Sequence, residues 1–488
     1  MGMNVFRLTI SDARRALDAK EYSALDLTNA YLDSIVKKDG AIHAYLEVWK
    51  NEAREEAKAA DVLIARGESK PLTGIPLAVK DLILIEGRIA SAGSKILEKY
   101  RASYDATAIK KLKAQNAVFL GRTNMDEFAL GSSTENSAYG PTKNPHDTSR
   151  VPGGTSGGSA AAVSAGMALA ALGSDTGGSI RQPSAFCGVV GLKPTYGSVS
   201  RFGLIAAASS LDQIGAIGKT VADARSIFEC IRGYDEKDST SLPASTRSDL
   251  GDSKGRTFRI GVPRAFLGEG TEPDMLKEFE RTLAALGEAG YSIVDIELPS
   301  LKYALAVYYI INPAEVSTNL ARFDGIRYGL SVSADDIQSV YAKTRESGFG
   351  PETRRRILVG TFVLSAGYAD AYYRKARAVR ELIRNDFAKA FGSVDVIATP
   401  ISPVPAFKIG EKSSDPLAMY AADIFTVPVN LAGVPAISIP SGAVERDGKK
   451  LPVGFQLIAQ HGGDETLFSI GEDVEKAGPI PTRHNPTV

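Results

Sequence analysis

Gly74-Ile-Pro-Leu-Ala-Val-Lys80-Asp81 is a short apolar run held between turn-forming residues, the pattern of a buried strand, and Lys80 stands at its end. Upstream, residues 50–66 are rich in Ala, Glu and Lys and read as an amphipathic helix that stops at Gly67. An earlier helix opens at Ser23, which with Asp26 forms a capping-box pattern ahead of Leu25, Tyr31, Leu32 and Ile35 at helical spacing. Downstream, Ala106–Ala114 reads as helix, Ala117–Gly121 as strand and Ser159–Gly166 as helix. Helices and strands that alternate along the chain predict an α/β layer architecture rather than segregated domains.

Farther out, residues 270–392 are mostly helical by pattern, with breaks at 324–335 and 347–351, and read as an elaboration of the same domain. Val394–Thr399, Ala436–Ile439 and Val453–Ile458 have the character of strands that return to the sheet. The expected organisation is one domain over 1–476 followed by a loose tail over 477–488. Within the domain, N-terminal helices run to about 67, a core covers about 70–220, the helical elaboration about 270–392, and the returning strands about 393–460.

Composition narrows the function classes. The chain has 488 residues, 44% hydrophobic and 23% charged, a globular balance that leaves no case for a disordered or fibrous protein. The 57 Lys+Arg equal the 57 Asp+Glu, so no net positive charge draws a nucleic acid from a distance, and direct tRNA or DNA grip is not expected. Cys187 and Cys230 form neither a CxxC pair nor a metal-ligand spacing, which suits a reducing compartment. Residues 1–9 lack the features of a secretory signal, and the apolar stretch Ala160–Leu172 falls short of the roughly 20 residues a membrane span needs. The expectation is a cytoplasmic protein without a membrane segment or a metal.

Two glycine-serine segments carry the chemistry: Pro152-Gly-Gly-Thr155-Ser156-Gly-Gly-Ser159 and Gly173-Ser-Asp-Thr176-Gly177-Gly178-Ser179-Ile180-Arg181. Apolar structured sequence flanks both closely, unlike a linker, and neither ends in the Gly-Lys-Ser/Thr of a phosphate loop. At helix entries such loops present unpaired backbone N–H groups. If Ser179 attacks a carbonyl, the N–H groups of Thr176, Gly177, Gly178 and Ser179 are placed to hold the oxyanion, each such donor being worth about 3–4 kcal/mol of barrier. Histidine, the usual base for a serine, is scarce here, and of His43, His146, His461 and His484 the most plausible neighbour is His146. A buried lysine kept neutral serves equally well, and Lys80 is a candidate, although its position also suits a snorkelling surface lysine.

These three segments, in this order, resemble the amidase signature family over almost the whole chain. The resemblance implies a single large α/β/α sandwich with a central mixed sheet covered by helices. It implies a nucleophile at Ser179, a base at Lys80 and a bridging hydroxyl 24 residues before the nucleophile, following a cis peptide bond. That position is Thr155 where the family usually has serine; the hydroxyl survives, but the added methyl stiffens χ1, and Ser156 is the alternative relay.

Leu192-Lys-Pro-Thr-Tyr-Gly, Asn319-Leu-Ala-Arg-Phe-Asp-Gly and Met419-Tyr-Ala-Ala-Asp-Ile-Phe are similar to the branch of the family formed by the glutaminase subunits of tRNA-dependent amidotransferases. This likeness implies a glutaminase that supplies ammonia for turning Glu-tRNA(Gln) into Gln-tRNA(Gln), with Asp-tRNA(Asn) as a second acceptor. It would work in a heterotrimer with B-like and C-like subunits, with no cofactor in this chain, ATP and Mg2+ used in the partner, and tRNA held mainly by the partner. Glutamine is a zwitterion, so its pocket needs a cation for the α-carboxylate and an anion for the α-ammonium. By the same resemblance these are Arg356 and Asp423, with Tyr308 against the substrate. The competing readings are a stand-alone amidase acting on small amides, a cysteine amidase built on Cys187, and a nucleotide-binding scaffold.

Overall fold

Lys80 ends an inner strand of an eleven-stranded mixed sheet in the computed structural model, which describes residues 5–243, 258–268, 270–413 and 415–477. The strands are β1 (Tyr45–Val48), β2 (Pro76–Lys80), β3 (Val118–Thr123), β4 (Ala170–Asp175), β5 (Val190–Lys193), β6 (Gln213–Gly218), β7 (Arg259–Val262), β8 (Ser292–Asp295), β9 (Val396–Pro400), β10 (Ala436–Arg446) and β11 (Lys449–Ala459). Their spatial order is β1-β3-β2-β4-β6-β5-β10-β11-β9-β7-β8. Strand β2 lies parallel to both β3 and β4, whereas β4–β6, β6–β5, β5–β10, β10–β11 and β11–β9 are antiparallel. Helices flank the sheet, giving the expected α/β sandwich.

Local sequence explains the elements that frame the site. Ser23 and Asp26 close both halves of a capping box at the start of helix Ala24–Ile42. Strands β2, β3 and β4 are buried along their whole length, as parallel strands covered on both faces must be. Because β2 and β4 are parallel neighbours, their C-terminal ends open on the same edge of the sheet, and the two glycine-serine loops converge there. Each loop leads into a short buried helix, Gly157–Ser164 and Arg181–Cys187.

The helical elaboration contains Pro273–Glu288, Ala304–Asn319, Ile337–Gly348, Pro351–Leu364 and Lys375–Phe391. Within it the expectation of helix fails at β8, which pairs in parallel with β7. Four residues, Ser-Ile-Val-Asp, are too few to break a helical periodicity read over a longer window; a distant strand decides their state. A second apolar cluster ties helices Ala304–Asn319 and Lys375–Phe391 to β9 through Val307, Ile311, Ile383, Phe387 and Ile397. No helix of the described residues is long and apolar enough to cross a membrane. The expected tail beyond residue 477 lies outside the described residues.

Candidate active site

Strand β2 delivers Lys80 into the sheet edge with no solvent exposure. Its Nζ lies 2.6 Å from Thr155 Oγ1, 2.9 Å from Ser156 Oγ and 2.9 Å from Ser174 Oγ. Burial pushes the amine down to about 7, although the carboxylates of Asp126, Asp175 and Asp212 attract its proton. The amine is therefore close to half neutral at pH 7 and can accept a proton from a hydroxyl. The snorkelling reading of this lysine does not survive its burial.

The two hydroxyls that compete for the relay differ in what they already do. Ser156 Oγ donates to the Ser174 carbonyl at 3.1 Å and accepts from the Ser174 N–H at 3.3 Å as well as from Lys80. Its proton is committed to a backbone acceptor. Thr155 Oγ1 accepts from Lys80, and its own proton has no acceptor among the described residues. Thr155 follows the cis peptide bond Gly154–Thr155, in agreement with the family resemblance.

Ser179 is 7% exposed, and its hydroxyl has no hydrogen-bond partner among the described residues; the link to Thr155 Oγ1 is not closed. The loops are joined by their backbones instead, the Ser156 N–H donating to the Ser179 carbonyl at 3.1 Å. The N–H groups of Thr176, Gly177 and Ser179 are without acceptors among the described residues and are available to an oxyanion. Gly178 departs from the expectation: its N–H donates to Asp175 Oδ1 at 2.9 Å. The reason is the loop's support, in which the Asp175 carboxylate also accepts the Ile180 N–H at 3.1 Å. Gly178 has φ +135, and a Cβ there would collide with Thr426, so only glycine makes this turn.

Tyr308, Arg356 and Asp423 come together on the Gly177 side of this loop although more than a hundred residues separate the outer pair. A Cβ on Gly177 would lie 2.7 Å from the Tyr308 hydroxyl, so the missing side chain lets the tyrosine approach the loop. Arg356 Nη1 donates to Asn312 Oδ1 at 2.9 Å, and Asn312 Nδ2 donates to the Tyr308 oxygen at 3.4 Å. Arg356 Nε donates to Glu352 at 2.8 Å, and the guanidinium faces the stacked rings of Tyr309 and Tyr420. In the run Arg354-Arg355-Arg356 the first two residues are exposed and Arg356 is buried. Asp423 accepts from Ser132 Oγ at 2.6 Å; burial pushes its carboxyl up to about 7 against that bond and the attraction of Arg356.

Comparison with known proteins decides the lineage. The amidase family's sequence profile matches residues 26–468. The chain belongs to the amidase family. It is 51% identical over 486 residues to the A subunit of glutamyl-tRNA(Gln) amidotransferase from Desulfatibacillum aliphaticivorans, covering 99% of each chain. Among solved structures it is similar to the A subunit of glutamyl-tRNA(Gln) amidotransferase from Thermotoga maritima, with 43% identity, a TM-score of 0.81 and coverage of 98% and 96%. It also resembles 6-aminohexanoate cyclic dimer hydrolase, with 25% identity, a TM-score of 0.84 and coverage of 99% of each chain.

Within this amidase the competing nucleophile and base are disposed of by their surroundings. Cys187 is fully buried, donates to the Pro152 carbonyl at 3.3 Å, and burial pushes its thiol far above the ordinary thiol range, so it is no ready thiolate. The His146 ring sits 3.0 Å from the Cys187 carbonyl rather than among the Lys80 hydroxyls. Sequence reading missed the residues beneath the loop from Thr176 to Ser179. Arg181, also fully buried, grips Asp175 with Nε and Nη2 at 3.0 Å each, and reaches Gln456 Oε1 and Asn430 Oδ1 at 2.6 Å. Burial works against the Asp175 charge, but Arg181 outweighs it and holds the carboxyl well below the usual carboxylate range. The Gly-Ser-Asp175-…-Arg181 motif contained the pair; only the spacing of charges inside an otherwise neutral loop hinted at it.

Proposed function

We propose that this chain is the glutaminase subunit of a tRNA-dependent amidotransferase. Its relatives carry the name of the A subunit of glutamyl-tRNA(Gln) amidotransferase. The observation that carries the reading here is a buried amine near neutrality bonded to Thr155, within reach of a loop whose free N–H groups face a serine. Neutral Lys80 takes a proton through Thr155, and Ser179 attacks the side-chain amide of glutamine. The N–H groups of Thr176, Gly177 and Ser179 hold the oxyanion, with Gly178 serving the turn. The proton returns to the leaving nitrogen, the C–N bond breaks, ammonia departs, and water then hydrolyses the glutamyl ester on Ser179 by the same relay.

Arg356 receives the α-carboxylate of glutamine, Asp423 its α-ammonium, and Tyr308 lies against the substrate. A half-neutral Asp423 fits this role, because an arriving ammonium stabilises its charged form. A buried arginine and a buried carboxylate beside the nucleophile loop disfavour a stand-alone amidase for small apolar amides, which needs an uncharged pocket. Ammonia passes to a B-like subunit that activates Glu-tRNA(Gln), or Asp-tRNA(Asn), with ATP and Mg2+ and holds the tRNA, with a small C-like subunit completing a cytoplasmic heterotrimer. Quenching the enzyme during turnover and mapping it by mass spectrometry tests the chemistry: a glutamyl group on Ser179 supports it, and one on Cys187 refutes it.

A further inference from the structure

Asp126 and Glu127 are adjacent, buried, and aimed at different halves of the site. Asp126 accepts the N–H groups of Thr134 at 2.8 Å and Asn136 at 3.0 Å, sits against Gly154 of the relay loop, and contributes to the field at Lys80. Glu127 leaves the core for the helical elaboration. Its Oε2 accepts the Gly350 N–H at 2.8 Å and the Thr353 hydroxyl at 2.6 Å, while Oε1 accepts Ser94 Oγ. Gly350 is the N-cap of helix Pro351–Leu364 and has no capping side chain of its own; the Glu127 carboxylate, from a distant segment, takes the Gly350 N–H at the positive end of the helix, the bond an N3 acid makes in a capping box. Thr353 and Arg356 share the buried face of this helix, one turn apart. Phe128, the next residue, packs against Phe323 and Phe349 and fastens the same junction.

We infer that Glu127 is a positioning residue for glutamine recognition: by capping helix Pro351–Leu364 from the core, it fixes Arg356 relative to the Ser179 loop. The inference rests on the proposed role of Arg356 as the carboxylate partner. Loss of the cap frees the first turn and lets the guanidinium drift from the α-carboxylate. Glutamine then binds less well, whereas Lys80, Thr155 and Ser179 are untouched.

The test uses the assembled enzyme and two substrates, glutamine and p-nitrophenyl acetate, an ester without α-substituents that acylates the same serine. Glu127→Ala is expected to raise KM for glutamine about tenfold while leaving the ester burst unchanged. Glu127→Gln is expected to restore KM to within about threefold, because its carbonyl oxygen keeps both helix-side bonds and Ser94 turns to the Gly348 carbonyl, 3.1 Å away. Thr353→Val, which removes one of those bonds and keeps the fold, should raise KM by a few-fold. An unchanged glutamine KM in both Glu127→Ala and Thr353→Val, or an equal loss on both substrates, overturns the inference. Arg356→Lys run alongside separates the two layers: if it leaves the glutamine KM unchanged the recognition reading itself fails, and if it raises KM while Glu127→Ala does not, only the positioning role fails.

Discussion

Around Lys80, every hydroxyl in contact comes from the first loop or the end of β4, all within a hundred residues of the lysine. Around Arg356, the contacts come from its own helix, from helix Ala304–Asn319 and from Tyr420, and the anchor of its helix comes from Glu127. The first region is a rigid sheet edge where bond-making groups are held by the backbone of the fold's centre. The second is a set of helices laid on that centre and joined to it through Glu127 and Tyr308. Under the proposed function, this separation places proton transfer in the sheet and substrate choice in the added layer, a division that lets one reaction serve many amides.

Removing the base makes the sharpest test of this division. Lys80→Met should lower kcat for glutamine by about 10³–10⁴-fold with little change in KM, measured as ammonia release by the assembled enzyme. In the unaltered protein, acid protonates an amine whose value is about 7, so kcat/KM should fall tenfold per unit as pH drops below that point. A flat profile from pH 6 to 8 would mean that Lys80 is not the base. Next in size, Thr155→Val should cost about 10²-fold in kcat, whereas Ser156→Ala, whose proton is tied to Ser174, should cost only a few-fold; the reverse order would move the relay to Ser156. Arg356→Lys, which keeps charge but loses the guanidinium fork, should raise KM about tenfold at nearly constant kcat. Equal losses in kcat for Arg356→Lys and Lys80→Met would erase the distinction between the two regions.

How much of this was legible in sequence follows the same line. Lys80 at the end of an apolar run, two glycine-serine loops at helix entries, and the α/β alternation depend on short spacings, which periodicity and turn chemistry reveal. That Lys80 meets Thr155 requires β2 and β4 to be parallel neighbours, a pairing no local pattern announces. The family resemblance implies it, and implies Tyr308, Arg356 and Asp423, which no local pattern marks. Asp126, Glu127 and Asn312 went unnoticed because a buried carboxylate or amide declares itself only through partners that lie far along the chain. Gly178 differs from its expected place among the free donors for the mirror-image reason: its neighbour Asp175, three residues away, takes the N–H that a loop read in isolation leaves open.

The Arg181 hub has an effect on timing. Three of its anchors, the Thr426 carbonyl, Asn430 and Gln456, are translated 245 or more residues after Arg181 itself. Until those residues arrive, the Arg181–Asp175 pair lacks its outer partners, and the turn from Gly178 to Ile180 is held through Asp175. A nascent chain that stops short of β11 therefore carries the Ser179 turn over an incompletely partnered ion pair, and that turn takes its final shape only after Gln456 is made.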